Sequence, residues 1–438
     1  TQIRDVVRSP DGKQLAFTAL NRLYVMTYPG GTPRRLTQHE FTEAMPSWSP
    51  DSKSVVFVSW EGKEGHLYKI NVTAGSAPQR LSKQGATYSQ PVWNPDGSRI
   101  VAILGPARAL LDATGPGAFG AQQSLVWLPA SGGDLTVIDR AAGRQSPHFV
   151  KGQDRIFLFH EEKGLLSIRW DGTDEKAHLK ITGITTFPAL HMEEANCLLA
   201  ATAQEPKPEP SKAALILMAP QGDQALAQIN NEIYIVTVPV VGKEVPAINV
   251  SDPAAAAFPA RKLTKMGGEF PSWSADALKV HWALGNAFFS YDIPAAKAFE
   301  EKLKAEQKAK AAEKEKKEAE KEKKEAEKEK KYEASEIRVS VEVPRDIPQG
   351  TVLLKGARLI TMKGDEIIAR GDVLVVNNRI QAIGETGKVK VPAGAKVLDM
   401  KGKAIIPGFV DTHAHMWPNW GLHKNRLWIY AANLAYGV

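Results

Sequence analysis

Cysteine is almost absent from this chain. A single residue, Cys197, stands among 438, so no intrachain disulfide can form and stability must come from packed cores. Its setting, Cys-Leu-Leu-Ala-Ala, reads as a small buried hydrophobe rather than a reactive thiol. Long apolar runs are missing too. The longest, such as Ala-Ala-Leu-Ile-Leu-Met-Ala at 213–219, fall far short of the ~20 residues of a membrane-spanning helix, so no membrane span is expected. The net charge of +7 comes from Lys and Arg interspersed with Asp and Glu. No basic stripe rich in aromatics appears, so nucleic acid is not an expected partner. Thr1 follows neither a methionine nor a signal-like segment, and the numbered chain reads as a processed or shortened product.

What is present is length and repetition. At 438 residues, with 43% apolar, the chain exceeds the ~250–300 at which one core stops growing, so at least two domains are expected. The stretches SPDGKQLAFTA, SPDSKSVVFVS and NPDGSRIVAIL begin at Ser9, Ser49 and Asn94, 40 and 45 residues apart. In each, Pro presets the turn, Asp can bond its own backbone, and a small residue leads into a strand. An aromatic precedes two of these turns, Trp48 and Trp93, and returns as Trp273 in PSWSAD; PHFVKGQDRIFLF at 147–159 and MAPQGDQALAQ at 218–228 are weaker copies. A second strand follows in each unit (RLYVM, HLYKI, SLVWL, LLSIRW, EIYIVTV), often closed by RRLT, QRLS or RKLT. Several short strands per ~40-residue period are the signature of propeller blades.

These units resemble the TolB-type, WD40-like propeller repeat over residues 1–293. The fold expected is therefore mainly β, beginning with a six- or seven-bladed β-propeller, the count turning on residues 185–230, where EPKPEPSK reads as an exposed loop. Residues 294–334 form a Lys/Glu-rich insertion. The heptad EKEKKEA occurs at 313 and 320, with Glu-Lys pairs at i, i+4 (Glu313–Lys317, Glu320–Lys324, Glu327–Lys331) that favour helix. Only one small apolar position per heptad remains (Ala312, Ala319, Ala326), so there is no coiled-coil seam and the helix is expected to be solvated. Residues 335–349 hold a return strand and linker. Residues 350–404 alternate short β runs with Lys-Gly, Gly-Asp and Asn-Asn turns, which reads as a small antiparallel β domain.

The segment AIIPGFVDTHAH at 404–415 reads as a strand. Its period of two would put Phe409, Asp411, His413 and His415 on one face and Val410, Thr412 and Ala414 on the other. With ten histidines in the chain, an H-x-H pair alone is weak evidence; context decides. Asp411-x-His413-x-His415 follows PGFV and a β unit of the form LLKGARLITM…GDVLVVNNRIQAIG…LDMKGKAIIPGF. That arrangement resembles the amidohydrolase superfamily over about residues 350–438, and together with the repeats it is similar to large bacterial amidohydrolases bearing TolB-like propellers.

The resemblance implies that residues 405–438 are the first β-α unit of a (β/α)8 metal-dependent hydrolase barrel. It implies that His413 and His415 ligate a divalent metal, zinc, as one or two ions, and that Asp411 supports the strand mouth. The general base and remaining ligands would lie outside this chain, so the rest of the barrel is expected as a partner, together with a peptide or amide substrate and an oligomeric assembly. A periplasmic or secreted bacterial location is implied as well. Trp417 and Trp420 would line the substrate mouth or cover the barrel top; His423 reads as loop or helix surface, or else as a pocket residue. NRLWIYAANLAYGV reads as the first barrel helix and the entry to the second strand. The competing expectation is a binding or scaffold propeller with a catalytically silent barrel fragment.

Overall fold

A computed structural model of the chain describes residues 1–113, 121–186, 208–240, 244–315, 331–412, 422–424 and 428–438. They divide into two compact units, Thr1–Val341 with Asn419–Asn425, and Glu342–Pro418 with Arg426–Val438.

The first unit is built from six antiparallel sheets in succession among the described residues. Blade 1 holds Arg4–Arg8, Gln14–Ala19, Arg22–Thr27 and Arg34–Arg35. Blade 2 holds Thr42–Trp48, Ser54–Trp60, Leu67–Asn71 and Gln79–Arg80. Blade 3 holds Thr87–Trp93, Arg99–Gly105, Ser124–Pro129 and Thr136–Arg140. Blade 4 holds Gln145–His148, Ile156–His160, Gly164–Ile168 and Lys176–Thr186. Blade 5 holds Leu215–Met218, Gln224–Ile229, Glu232–Thr237 and Ala260–Lys262. Blade 6 holds Glu269–Trp273, Lys279–Leu284, Ala287–Asp292 and Ser335–Arg338.

Residues 185–230, where the blade count was open, make no seventh sheet among the described residues. The long strand Lys176–Thr186 runs past blade 4 and pairs antiparallel with Glu209–Lys212 and parallel with Ala247–Asn249. Four residues of the expected EPKPEPSK loop are thus a strand. Glu209, Pro210 and Lys212 are exposed, yet the strand pairs along the edge that the long strand offers.

Packing closes the ring. In blade 2, Val55 and Phe57 face Ala16, Leu23 and Val25 of blade 1, while Val56 and Val58 face Ile100, Ala102 and Val126 of blade 3. Such strands are apolar on both faces because each sheet is covered on both sides, which is why VVFV, IVAIL and IFLF run nearly unbroken. Blades 3 and 4, 4 and 5, and 5 and 6 share cores of the same kind. The last interface joins Ala283, Phe288 and Val339 of blade 6 to Ile3, Leu15 and Phe17 of blade 1.

The repeated aromatic has a visible purpose. Trp48 Nε1 donates to Val7 O, Trp93 Nε1 to Ser47 O and Trp273 Nε1 to Leu217 O, at 3.1–3.2 Å, each reaching the inner strand of the preceding blade. The turns before the second strands are pinned by Ser–Asp pairs, Ser9 Oγ to Asp11 Oδ1 and Ser49 Oγ to Asp51 Oδ1, both 2.6 Å.

The Lys/Glu-rich segment begins as the helix Ile293–Glu315, starting six residues before the charged composition sets in at Phe299, because Ile293 and Ala296 pack into the interface of blades 5 and 6. Residues 316–330 lie outside the described residues.

The second unit has one five-stranded sheet: Thr351–Ile360, Ile367–Val376, Arg379–Glu385, Lys396–Asp399 and Ala404–Ile405. The first three run antiparallel, but Lys396–Asp399 and Ala404–Ile405 both pair parallel to Thr351–Ile360. The sheet is therefore mixed, not antiparallel as expected, since the connections through 386–395 and 400–403 return the chain in the same direction. Asp372, 2% exposed, is its buried polar centre. It accepts from Gly356 N at 2.9 Å, Thr386 Oγ1 at 2.9 Å and Gly387 N at 3.1 Å. Burial alone would raise its pKa, but these three donors hold the carboxyl below the usual range. The helix Trp428–Ala435 stands where the first barrel helix was expected.

Candidate functional site

Of the residues singled out in the sequence, Asp411 is described and exposed. His413, His415, Trp417 and Trp420 lie outside the described residues, as does Cys197. Among the described residues the strand expected over 404–415 is realised only at Ala404–Ile405, which pair with Arg358 and Leu359, and 413–415 lie outside them. Pro407 then removes a backbone donor, and no further strand among the described residues flanks 406–412. Phe409 and Val410 are both exposed, so the alternation of faces expected there is not found. Among the described residues no group of three His, Cys, Asp or Glu side chains could hold a metal.

The first unit holds a second arrangement of interest, built on its inner strands, which neighbour one another around the ring. Each of five inner strands carries a bulge with a non-glycine residue at positive φ: Asp5, Met45, Gln90, Ser146 and Phe270, between 50° and 56°. This conformation costs roughly 1–2 kcal/mol for an L-residue, so its recurrence calls for compensation. Four of the five are joined in series. Asp5 Oδ2 accepts from Met45 N at 3.2 Å, Met45 Sδ from Gln90 N at 3.1 Å, and Gln90 Oε1 from Ser146 N at 2.6 Å. The side chain at each bulge receives the N–H of the next bulge, forming a belt across blades 1 to 4.

Charge gathers at the blade 1 end of this belt. Arg4, beside Asp5, is buried, and burial lowers its pKa against the opposing pull of Asp5 and Glu269. Burial likewise raises Asp5, offset by Arg4 and by the bonds from Met45 N and Thr18. Glu269 of blade 6, which accepts from Gln2 Nε2 at 3.0 Å, is also raised by burial, again offset by Gln2 and Arg4. One cation between two carboxylates that both resist ionisation can hold a neutral hydrogen-bonding group firmly.

The group it meets is His423. Arg4 Nη1 lies 2.9 Å from His423 Nε2, and His423 Nδ1 lies 3.0 Å from Asn21 Oδ1. The same Arg4 Nη1 lies 3.2 Å from His423 Nδ1, so the guanidinium faces both ring nitrogens. His423, expected as a surface or pocket residue, is half-buried against blade 1. Its neighbours do the same on other blades. Leu422 packs on the core shared by blades 2 and 3, and Lys424 Nζ donates to Ala113 O, at 2.5 Å, just after the short helix Ala107–Asp112 of blade 3. Burial pushes the Lys424 pKa down while Asp112 pulls it up.

Two other histidine settings are structural. His148 donates from Nδ1 to Ser146 O and accepts from Met218 N at 2.9 Å, tying blade 4 to blade 5; burial lowers it to about 4. Ser167 Oγ stands 2.7 Å from His178 Nε2, but Ser167 is wholly buried in blade 4 and already receives Arg155 Nε, so it is no nucleophile.

Arg4, Asn21 and Lys424 escaped the sequence reading because no motif marks them. The bulges had a signal: Asp5, Met45 and Gln90 each stand five residues before the turn prolines Pro10, Pro50 and Pro95.

Comparison with known proteins divides along the same lines. Residues 7–110 match the family model of the TolB beta propeller domain. Dihydropyrimidinase-related protein 5 of Homo sapiens is 38% identical over 64 residues, 15% of this chain and 10% of that protein. An adenine deaminase of Deinococcus deserti is 34% identical over 76 residues, 17% of this chain and 13% of that enzyme. The chain thus spans roughly a tenth of the length of these relatives. The crystal structure of TolB from Acinetobacter baumannii is similar at 13% identity and a TM-score of 0.42, covering 67% of this chain and 61% of that one, too distant to carry an argument. Residues 7–110 are thus similar to the TolB beta propeller domain, and propeller-like sheets run on to Arg338 among the described residues.

Proposed function

We propose that this chain is the propeller-bearing part of a metal-dependent amidohydrolase that cleaves peptide, amide or other C–N bonds. The observation that carries this reading is the spacing Asp411-x-His413-x-His415 directly after a small mixed sheet. The short matches to relatives that include a deaminase support it. In this reading His413 and His415 hold the metal, and their neutral imidazoles suit zinc. When bound, the metal would supply a water acidified toward pH ~7 and polarise the scissile carbonyl. Asp411 would orient this donor pair, Trp417 and Trp420 would border the substrate, and the general base and further ligands would come from the rest of the barrel. The propeller gates substrate or docks a partner, in an oligomeric assembly in the bacterial periplasm or outside the cell. No described helix is long and apolar enough to cross a membrane.

A second reading, a binding or scaffold propeller, is favoured by one observation: among the described residues the sixth blade packs back on the first through an apolar core. The complete protein carrying all its barrel strands separates the two. Zinc bound in stoichiometric amount, with hydrolysis across a panel of peptides, lactams and acyl-amides that is lost in His413→Ala and His415→Ala, supports the enzyme. Absence of any transition metal supports the scaffold.

A further inference from the structure

The seams between neighbouring blades are not equally stitched. Blades 1 and 2, and blades 2 and 3, are joined by an indole latch and by a bond of the bulge belt. Blades 3 and 4 share the belt bond from Ser146 N, blades 4 and 5 the bond from Met218 N to His148 Nε2, and blades 5 and 6 the latch of Trp273. At the seam of blades 6 and 1 both devices lack their chemistry. The residue two before the turn proline, where Trp48 and Trp93 stand in their blades, is Arg8 in blade 1. Its Nε and Nη2 donate to Gly12 O, at 3.0 and 2.8 Å, so it bonds within its own blade. The bulge residue of blade 6 is Phe270, whose side chain has no oxygen or sulfur to offer the N–H of the next bulge.

Polar groups at that seam are orphaned as well. Ser272 and His281 stand opposite each other on the first two strands of blade 6, and His281 stands opposite Ser290 on the third. Ala283 and Phe288, on the same side of the sheet, pack against Ile3, Leu15 and Phe17 of blade 1. His281 is wholly buried and stacked on Phe288, ring centroids 5.4 Å apart. Neither of its nitrogens, nor Ser272 Oγ, has a hydrogen-bond partner among the described residues. A buried polar atom without a partner carries its full desolvation penalty, and three of them share this interface. The seam is spanned instead by Ile3 N, which donates to Gly285 O at 2.9 Å, and by Gln2 Nε2, which donates to Glu269 Oε2 at 3.0 Å.

From this we infer that the seam between blades 6 and 1 is a parting line, at which the propeller opens reversibly and ahead of every other blade interface. Opening there returns Ser272 Oγ and both nitrogens of His281 to water, so it recovers hydrogen bonds that the closed state does without. Opening any other seam breaks a latch, a belt bond or the His148 bond. The apolar faces bared at the parting line, Ile3, Leu15 and Phe17 on one side and Ala283 and Phe288 on the other, drive it shut again. The inference does not depend on the metal motif and applies to the hydrolase and scaffold readings alike.

Amide hydrogen exchange in the complete protein reads each seam through one N–H. Met45, Gln90, Ser146 and Met218 report the four seams from blade 1 to blade 5, Gly268, bonded to Asn231 O at 2.7 Å, reports blades 5 and 6, and Ile3 reports blades 6 and 1. Ile3 should exchange at least about tenfold faster than the other five. His281→Phe keeps an aromatic ring against Phe288 and removes both orphaned nitrogens, so it should slow Ile3 on the order of tenfold and leave the other five unchanged. Ser272→Ala should slow Ile3 by less; it adds no volume, so it tests the seam even where His281→Phe does not fold. Exchange at Ile3 as slow as at the other five overturns the parting line. So does fast exchange at Ile3 that neither variant slows, which is fraying of residues 1–3, and so does equal slowing of all six amides, which is global stabilisation.

Discussion

The ring of blades and the small mixed sheet are both made of short strands, yet they bury their side chains in opposite ways. In blade 2 the run Val55–Val58 is wholly buried on both faces, because a neighbouring blade lies on each side. In the second unit Ile380, Ile383 and Val397 are about half exposed or more, and the buried apolar residues among the described ones are Leu353, Ala357, Leu359, Val373 and Leu374, with a few partly covered neighbours. The first is a structure whose elements satisfy one another. The second leans on hydrogen bonds to one buried carboxylate, Asp372, where hydrophobic area is scarce. The lesson concerns where energy is stored: in the ring it is spread over six apolar interfaces, and in the small unit it is concentrated in a polar knot.

Substitutions can break this contrast in order of effect. Phe57→Ala should cost the ring roughly 3–5 kcal/mol, through lost burial and the cavity left between blades 1 and 2. Denaturant unfolding followed by the propeller tryptophans would show it as a lowered midpoint.

Acid should act on the ring next. Burial holds His148 at about 4 and His281 at about 3, below the ordinary 6.5. The unfolded chain therefore takes up protons first, so this stability is full above pH 6.5 and drains away as pH falls from there toward 4 and 3. At pH 5 each group should cost about 2 kcal/mol relative to pH 7.5. Urea midpoints at the two pH values check it, and His281→Phe should remove about half of the pH dependence.

Asp372→Ala should leave the ring untouched and cost the small unit about 1–3 kcal/mol, because Gly356 N, Gly387 N and the Thr386 hydroxyl lose their acceptor. Hydrogen exchange at those amides reads the loss. Smallest of all, replacing residues 307–330 by a flexible linker should shift the melting temperature by the equivalent of less than about 0.5 kcal/mol, since among its described side chains the buried ones are Ile293 and Ala296.

These contrasts also explain what the sequence could reveal. Turns at Pro10, Pro50 and Pro95 and the indoles of Trp48 and Trp93 were legible, because turn chemistry is local and the latch to the preceding blade demands one residue type. Blade 5 was hard to read since its turn at Ala219–Gly222 kept little of the tetrad, and the strand Lys176–Thr186 overran its own sheet. The bulge belt left only a spacing to read, five residues before Pro10, Pro50 and Pro95, because its geometry is set by the backbone and Asp, Met, Gln, Ser and Phe all occupy it. Parallel pairing in the small sheet depends on the path of the connecting loops rather than on strand composition. His423 looked like surface because its partners, Arg4 and Asn21, stand about four hundred residues earlier in the chain. Asp411, His413 and His415 stand out in the sequence as a spacing, and both histidines lie outside the described residues.

The central claim is that a closed propeller has been joined to a metal-dependent hydrolase, and metal content tests it most directly. Elemental analysis of the complete protein, purified without chelators, should find at least one zinc per chain, and the double variant His413→Ala with His415→Ala should lose it while keeping the propeller's melting transition. A complete, folded protein with no stoichiometric transition metal, or one whose metal survives loss of both histidines, would contradict the account.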